Sequence, residues 1–371
     1  MDGASTIPEP NTPWAEALSG ETILMPISRY RPQRNWGARV HESSLQGMAT
    51  VVLENRRLRI TILAEKGTDI VEFLYKPSDV DLVWLTAGGV RDPRSYLSTS
   101  PDPLATFTDY YPGGWQEVFP SGGAPSQYHG ATFGQHGEVS NLPWDYAITE
   151  DEENAVAVTF SVRAQKTPFL MEKTLRLTAD DPALTIEERV TNESGVPLRA
   201  MWGHHLAFGR PFLGPGDTIE LPEGLGVVPH AVAIGPSGRR VREEEGRWPI
   251  VMGSDGKMVD LHVLPAPGTP SELVYLTGFG DEGAYTVTSA RHGLAFALRW
   301  DANVLPYCWF WQEFGAITGY PWYGRHYNIG LEPFSSYPTN GLADAVANGS
   351  AMTLGPGERR SLWLTAEVGG R

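Results

Sequence analysis

The chain has 371 residues, 41% of them hydrophobic and 20% charged, enough apolar side chains to bury a sizeable core. Its formal net charge of −15 argues against nucleic acid or an anionic membrane surface as a partner, because both require a basic face, while a neutral small molecule is not disfavoured. The single cysteine, Cys308, excludes an internal disulfide and a cysteine-based zinc site, and no stretch nears the ~20 apolar residues that span a bilayer.

Helical periodicity is nearly absent. Short runs of Val, Ile, Leu, Thr and aromatic residues recur instead, split by Gly, Pro, Asn and Asp. Residues 48–53 and 58–63 predict a hairpin across Asn55, Arg56 and Arg57, followed by strands at 68–75 and 81–85. A second set is predicted at 155–163, 169–177, 183–191 and 198–208, where Leu175, Leu177, Leu184 and Ile186 alternate with polar residues. The turns at 179–182 and 192–195 carry the expected turn residues. Further strands are predicted at 218–221, 273–277, 284–289, 295–300, 305–313 and 361–368, with one short helix at 342–347.

Neither an internal repeat nor a low-complexity linker divides the chain. Long loops at 86–135 and 209–272 break the strand rhythm, and loops of that length inside a compact domain usually carry function or cover a site. The expected fold is all-β: one large antiparallel β-sandwich over 45–371, with residues 1–44 as an N-terminal extension packing on it. The first thirty residues lack a basic region followed by an apolar one, so the expected location is cytoplasmic, without a signal peptide.

Aromatic content is high: 12 Trp, 14 Tyr and 13 Phe. Such side chains fill β cores, and they also line pockets that stack sugar rings while binding hydroxyls. Three segments concentrate reactive groups. The first holds Gln116, Glu117, His136, Glu138 and Trp144. The second, MWGHHLAFGRPF, holds His204, His205 and Arg210. The third runs from Cys308 to Pro338 and holds Gln312, Glu313, Tyr323, Arg325, His326 and Glu332. Adjacent side chains on a strand point to opposite faces, so only one of His204 and His205 can face a given site. Glu332, after Ile329-Gly330-Leu331, is expected near a strand end and partly buried, with a raised pKa; pairing with Arg325 is the structural alternative. Cys308, in an apolar run, reads as a buried, inert thiol. The histidines lack the His-x-His spacing that puts two imidazoles on one face of a strand, so no metal site is expected.

The succession of His136-Gly137-Glu138 with Trp144, the strand pair KTLRLTADDPALTIEERVTNES, then GHHLAFGRPF, then GLEP resembles the aldose 1-epimerase (galactose mutarotase-like) family, over about residues 45 to 368. The resemblance implies His136 as a substrate-binding imidazole, His205 as general acid and Glu332 as general base. The choice of His205 over His204 rests on Phe208, three residues later. Leu206 stands where many relatives have Pro, and no clear copy of the Asn-Arg sugar-binding motif is found, so the pattern resembles the divergent bacterial branches more than galactose mutarotase itself. Interconverting α and β anomers needs one base for the C1 hydroxyl and one acid for the ring oxygen, without metal or cofactor. For His205 to begin as the acid, a neighbouring carboxylate should hold its pKa up. His204, Glu117, Gln312, Arg325, Trp144 and Tyr323 are expected to read hydroxyls or stack on the ring. The alternatives are a non-catalytic carbohydrate-binding protein, and a glycan-cleaving enzyme using Glu117 with Glu332 or Glu313 with Glu332.

Overall fold

A strand with one apolar face needs a second sheet to cover it, and here two large antiparallel sheets meet. The structure is a computed structural model, and it describes residues 36–95 and 105–370. The larger sheet has twelve strands, in the order Arg39–Leu45, Met48–Glu54, Leu58–Leu63, Asp69–Tyr75, Trp115–Val118, Gly203–Gly209, Asn328–Phe334, Tyr307–Glu313, Glu272–Thr277, Gly226–Pro229 and Gly246–Arg247, with Val80–Asp81 attached to Asp69–Tyr75. The second has eight, from Thr218–Glu220 through Glu282–Ser289, Leu294–Asp301, Arg359–Gly370, Ala183–Asn192, Phe169–Thr178 and Ala155–Arg163 to Asp145–Asp151. This is the expected all-β sandwich.

Alternation builds the core. In Phe169–Thr178 every second side chain from Phe169 to Leu177 is buried, and the facing strands answer with Ile60, Ile62, Trp115, Leu206, Phe208 and Phe310. A smaller apolar cluster lies on the other face of the larger sheet. There Val118, Trp309 and Phe334 pack with Leu342 and Ala345 of the helix Leu342–Ala347, whose bounds match the sequence expectation. Phe334 and Trp309 stack with ring centroids 3.7 Å apart. The larger sheet is therefore covered on both faces, and a cavity remains between the covering loops.

Two expectations are corrected. The strand expected over 198–208 breaks in two: Leu198–Ala200 pairs with Met352–Leu354 in a separate ribbon, and Gly203–Gly209 enters the larger sheet. The break is a crossing between layers, with Met201 buried in the smaller cluster and Trp202 in the main core. The loop at 86–135 contains Trp115–Val118, a strand buried at every position. Of the extension expected over 1–44, residues 1–35 lie outside the described residues, and Arg39–Leu45 pairs with Met48–Glu54 as the sheet's edge. No helix among the described residues is long and apolar enough to cross a membrane.

Candidate active site

Gly203–Gly209 sits near the middle of the larger sheet, between Trp115–Val118 and Asn328–Phe334, and Tyr307–Glu313 lies next beyond. Alternation sends His205 and Ala207 to the cavity face, and His204, Leu206 and Phe208 into the core. On Asn328–Phe334, Glu332 takes the cavity face opposite Trp309 in register. Two strands thus bring His205 Nε2 and Glu332 Oε1 to 3.6 Å. Gly330 makes room for this: a Cβ there would collide with the Glu332 carboxylate and press on the Trp311 ring.

The cavity they share holds about 230 Å3. Phe107, Tyr111, Trp311 and Trp322 wall it, with Ile234, Leu273 and Ile317 beyond. The Tyr111 hydroxyl lies 3.3 Å from His205 Nδ1, and the His136 ring meets the His205 ring edge-on at 5.2 Å between centroids. Gly123 N–H donates to His136 Nδ1 at 3.1 Å. Burial, with His205 alongside, holds the His136 pKa well below the usual value. His136 is therefore neutral with its proton on Nε2, a fixed hydrogen-bond donor.

Burial also sets the protonation of the central pair. It pushes the Glu332 carboxyl well above the usual range and drops the His205 pKa to about 4. The expectation that a carboxylate would hold His205 protonated is corrected: Glu332 lacks a cationic partner among the described residues, so the proton rests on the carboxyl and the imidazole is neutral. Both shifts favour a neutral carboxyl beside a neutral imidazole, one donor and one acceptor facing the cavity.

The core side of the same strand carries a different set. His204 Nε2 lies 3.2 Å from Glu188, Lys173 Nζ lies 3.1 Å from Glu117 and 3.6 Å from Glu188, and the Trp202 indole donates to Glu117 at 2.7 Å. All four charged or titratable side chains are buried between the sheets. Burial and the Glu188 charge raise the Glu117 pKa; burial would raise that of Glu188 too, but His204 and Lys173 outweigh it and lower it. One carboxylate then balances the Lys173 ammonium. At His204 burial disfavours the imidazolium and the two carboxylates favour it. The Trp115 indole, a donor only, points at His204 Nδ1 from 3.0 Å. That nitrogen accepts, so the ring keeps its proton on Nε2, towards Glu188. Glu117, Glu188 and His204 could supply three ligand atoms to a metal. The Lys173 ammonium already stands among them as the cation.

Residues 45–230 match a sequence family described as Domain of unknown function (DUF4432). The chain belongs to that family. Its description assigns no activity, and the matched segment contains His136 and His205 but ends before Glu332. No curated protein matches the chain in sequence. Solved structures do match in fold. A candidate aldose 1-epimerase from Klebsiella pneumoniae superposes with a TM-score of 0.68 at 13% identity, covering 90% of this chain and 87% of its own. A galactose mutarotase-like protein from Clostridium acetobutylicum gives 0.60 at 14%, covering 90% and 99%. A candidate mutarotase from Salmonella typhimurium gives 0.59 at 14%, covering 90% and 94%. At these identities the likeness establishes the galactose mutarotase-like sandwich and nothing finer.

Of the residues singled out from the sequence of this family member, His136, His205 and Glu332 meet in the cavity. Glu117 and His204 do not reach it, because their strand positions face the core. Trp144 is a core residue whose indole donates to the Val139 carbonyl at 3.1 Å. Gln312 is buried and held by the Arg240 guanidinium. Glu313 accepts from Ser271 and from the main chain at Gly315 and Ile317, organising its own loop. Tyr323 and Arg325 line an adjoining cavity instead, so Arg325 is no partner for Glu332. Cys308 is buried, its thiol pushed up by burial, as expected of an inert residue. Tyr111 and Phe107 were not singled out; the run Asp109-Tyr110-Tyr111-Pro112, ahead of two glycines, was the available signal.

Proposed function

We propose that the chain is an aldose 1-epimerase, interconverting the α and β anomers of a sugar at the His205–Glu332 pair. The observation that carries this reading is a carboxyl and an imidazole 3.6 Å apart in an aromatic cavity of about 230 Å3. That volume lies below the usual range for drug-sized ligands, and suits one sugar ring. Ring opening requires a proton to leave the C1 hydroxyl as another reaches the ring oxygen. A pair holding a single proton supplies both transfers and is restored when the ring closes on the other face of C1. Glu332 then starts as the donor and His205 as the acceptor, and exchanging the proton between them exchanges the roles.

His136 Nε2–H would donate to a ring hydroxyl, and Trp311, Trp322 and Phe107 offer faces for the sugar's C–H groups. The reaction needs no metal or cofactor. A glycosidase reading is less well supported: it calls for two carboxyls flanking the bond, and Glu332 is the one carboxyl lining this cavity among the described residues. Exchange NMR on a panel of aldoses tests the proposal. Anomer exchange faster than in buffer is expected for at least one sugar. Binding without acceleration for any of them would instead favour a non-catalytic sugar-binding protein.

A further inference from the structure

A second cavity, of about 170 Å3, lies against the first, and Thr108, Tyr111 and Trp322 line both. Its remaining wall is of a different kind. The first cavity is mostly apolar around one acid/base pair; the second presents Arg91, Asp109, Arg325, His326 and the phenols of Tyr320 and Tyr323. Neither guanidinium has a carboxylate partner among the described residues. Arg91 donates to the main-chain carbonyl of Asp109 at 3.3 Å, and the Arg325 side chain makes no hydrogen bond among the described residues. The Asp109 carboxylate accepts from the Tyr320 hydroxyl.

Tyr320 and Tyr323 are 56% and 58% exposed, although large aromatic side chains normally bury. Tyr323 also holds a φ of +50°, in the left-handed region that a non-glycine residue adopts at a cost of about 1 kcal/mol or more. An exposed, strained aromatic beside unpaired guanidinium groups and a carboxylate is a surface with both donors and acceptors for hydroxyls and flat faces for C–H groups.

We propose that this cavity is a second sugar subsite and that the ligand is a reducing disaccharide. The inference rests on the reading of the first cavity as a sugar site. One ring, with its anomeric carbon free, lies beside His205 and Glu332. The second ring, joined through a non-anomeric oxygen, passes Trp322 to reach Tyr320, Tyr323 and Arg325. With Arg91 and Arg325 against the single Asp109 carboxylate, an anionic substituent on one ring is the competing ligand, and a sugar phosphate is therefore included among the probes.

Calorimetric binding to the full chain tests this. The probes are glucose, galactose and mannose against maltose, isomaltose, lactose, melibiose, galactobiose and mannobiose, with glucose 6-phosphate as the anionic competitor. At least one disaccharide should bind about tenfold tighter than the monosaccharide at its reducing end, an increment in the range of one well-stacked ring. Tyr323→Ala and, separately, Arg325→Ala should bring that ratio back towards one. The proposal is overturned if no disaccharide gains, if the gain survives both substitutions, or if glucose 6-phosphate gains through Arg325 while the disaccharides do not. A protein that keeps the disaccharide gain but exchanges no anomers would retain the subsite and lose the epimerase reading.

Discussion

One strand, Gly203–Gly209, carries two adjacent histidines, each within reach of a glutamate, and the two sides behave differently. On the core side His204 faces Glu188 and Glu117, with the Lys173 ammonium between the carboxyls and the Trp115 indole fixing the ring. On the cavity side His205 faces the single carboxyl of Glu332, with no cation beside it among the described residues and with open space ahead. Both carboxyl–imidazole sets are buried. What separates them is a counter-charge and room. A compensated, sealed set holds its charges in place and joins the sheets; an uncompensated set beside a cavity keeps a proton that a ligand can use.

The comparison can be broken from either side. His205→Asn should lower anomer exchange by about 100- to 10,000-fold in kcat, the usual worth of a positioned acid or base, with near-ultraviolet circular dichroism unchanged. Lys173→Met leaves the buried carboxyls without their cation and should cost about 3–5 kcal/mol of stability in urea unfolding, with the cavity pair intact in the folded fraction. If that variant unfolds like the wild type, the ionic cluster is not what joins the sheets.

Gly330→Ala sharpens the cavity side. The added methyl displaces the Glu332 carboxylate, and a loss on the order of a hundredfold in kcat/KM is expected from misplacement alone, with thermal unfolding as the control for folding. The smallest effect is on pH dependence. With its pKa depressed from 6.5 to about 4, His205 stays neutral in the folded chain where the unfolded chain takes up a proton, so its contribution to stability falls as pH drops from about 6.5 to about 4. The raised pKa of Glu332 acts oppositely: its contribution is full below the unfolded carboxyl pKa and is lost as pH rises through the folded one. The acid limb of kcat/KM should therefore lie near pH 4; a limb near 6.5 would mean that His205 is not desolvated.

Much of this fold was legible because alternation is a strong signal where one face is buried and the other wet. The hairpin of Met48–Glu54 and Leu58–Leu63 and the strand Ala155–Arg163 fall where periodicity put them. Trp115–Val118 and Asn328–Phe334 did not, because both faces are buried and their sequences carry no alternation. The site was legible in its types and order, and less so in its faces. That His204 and His205 must point oppositely followed from strand geometry; which of them met a cavity depended on the layers laid over the sheet. The ionic cluster had left one trace. Lys173 and Glu188 stand at inward positions among Met171, Leu175, Ile186 and Val190, opposite each other in register, and a buried charge at such positions calls for a polar partner across the sandwich.

The most direct test of the central claim is the anomer-exchange rate of wild type and Glu332→Gln, measured side by side by exchange NMR on the sugar that the wild type accelerates best. Glutamine keeps the shape of the carboxyl and cannot give up or take the shared proton. Exchange should fall to within a small factor of the buffer rate while the sugar still binds. Glu332→Gln exchanging anomers as fast as the wild type would contradict it.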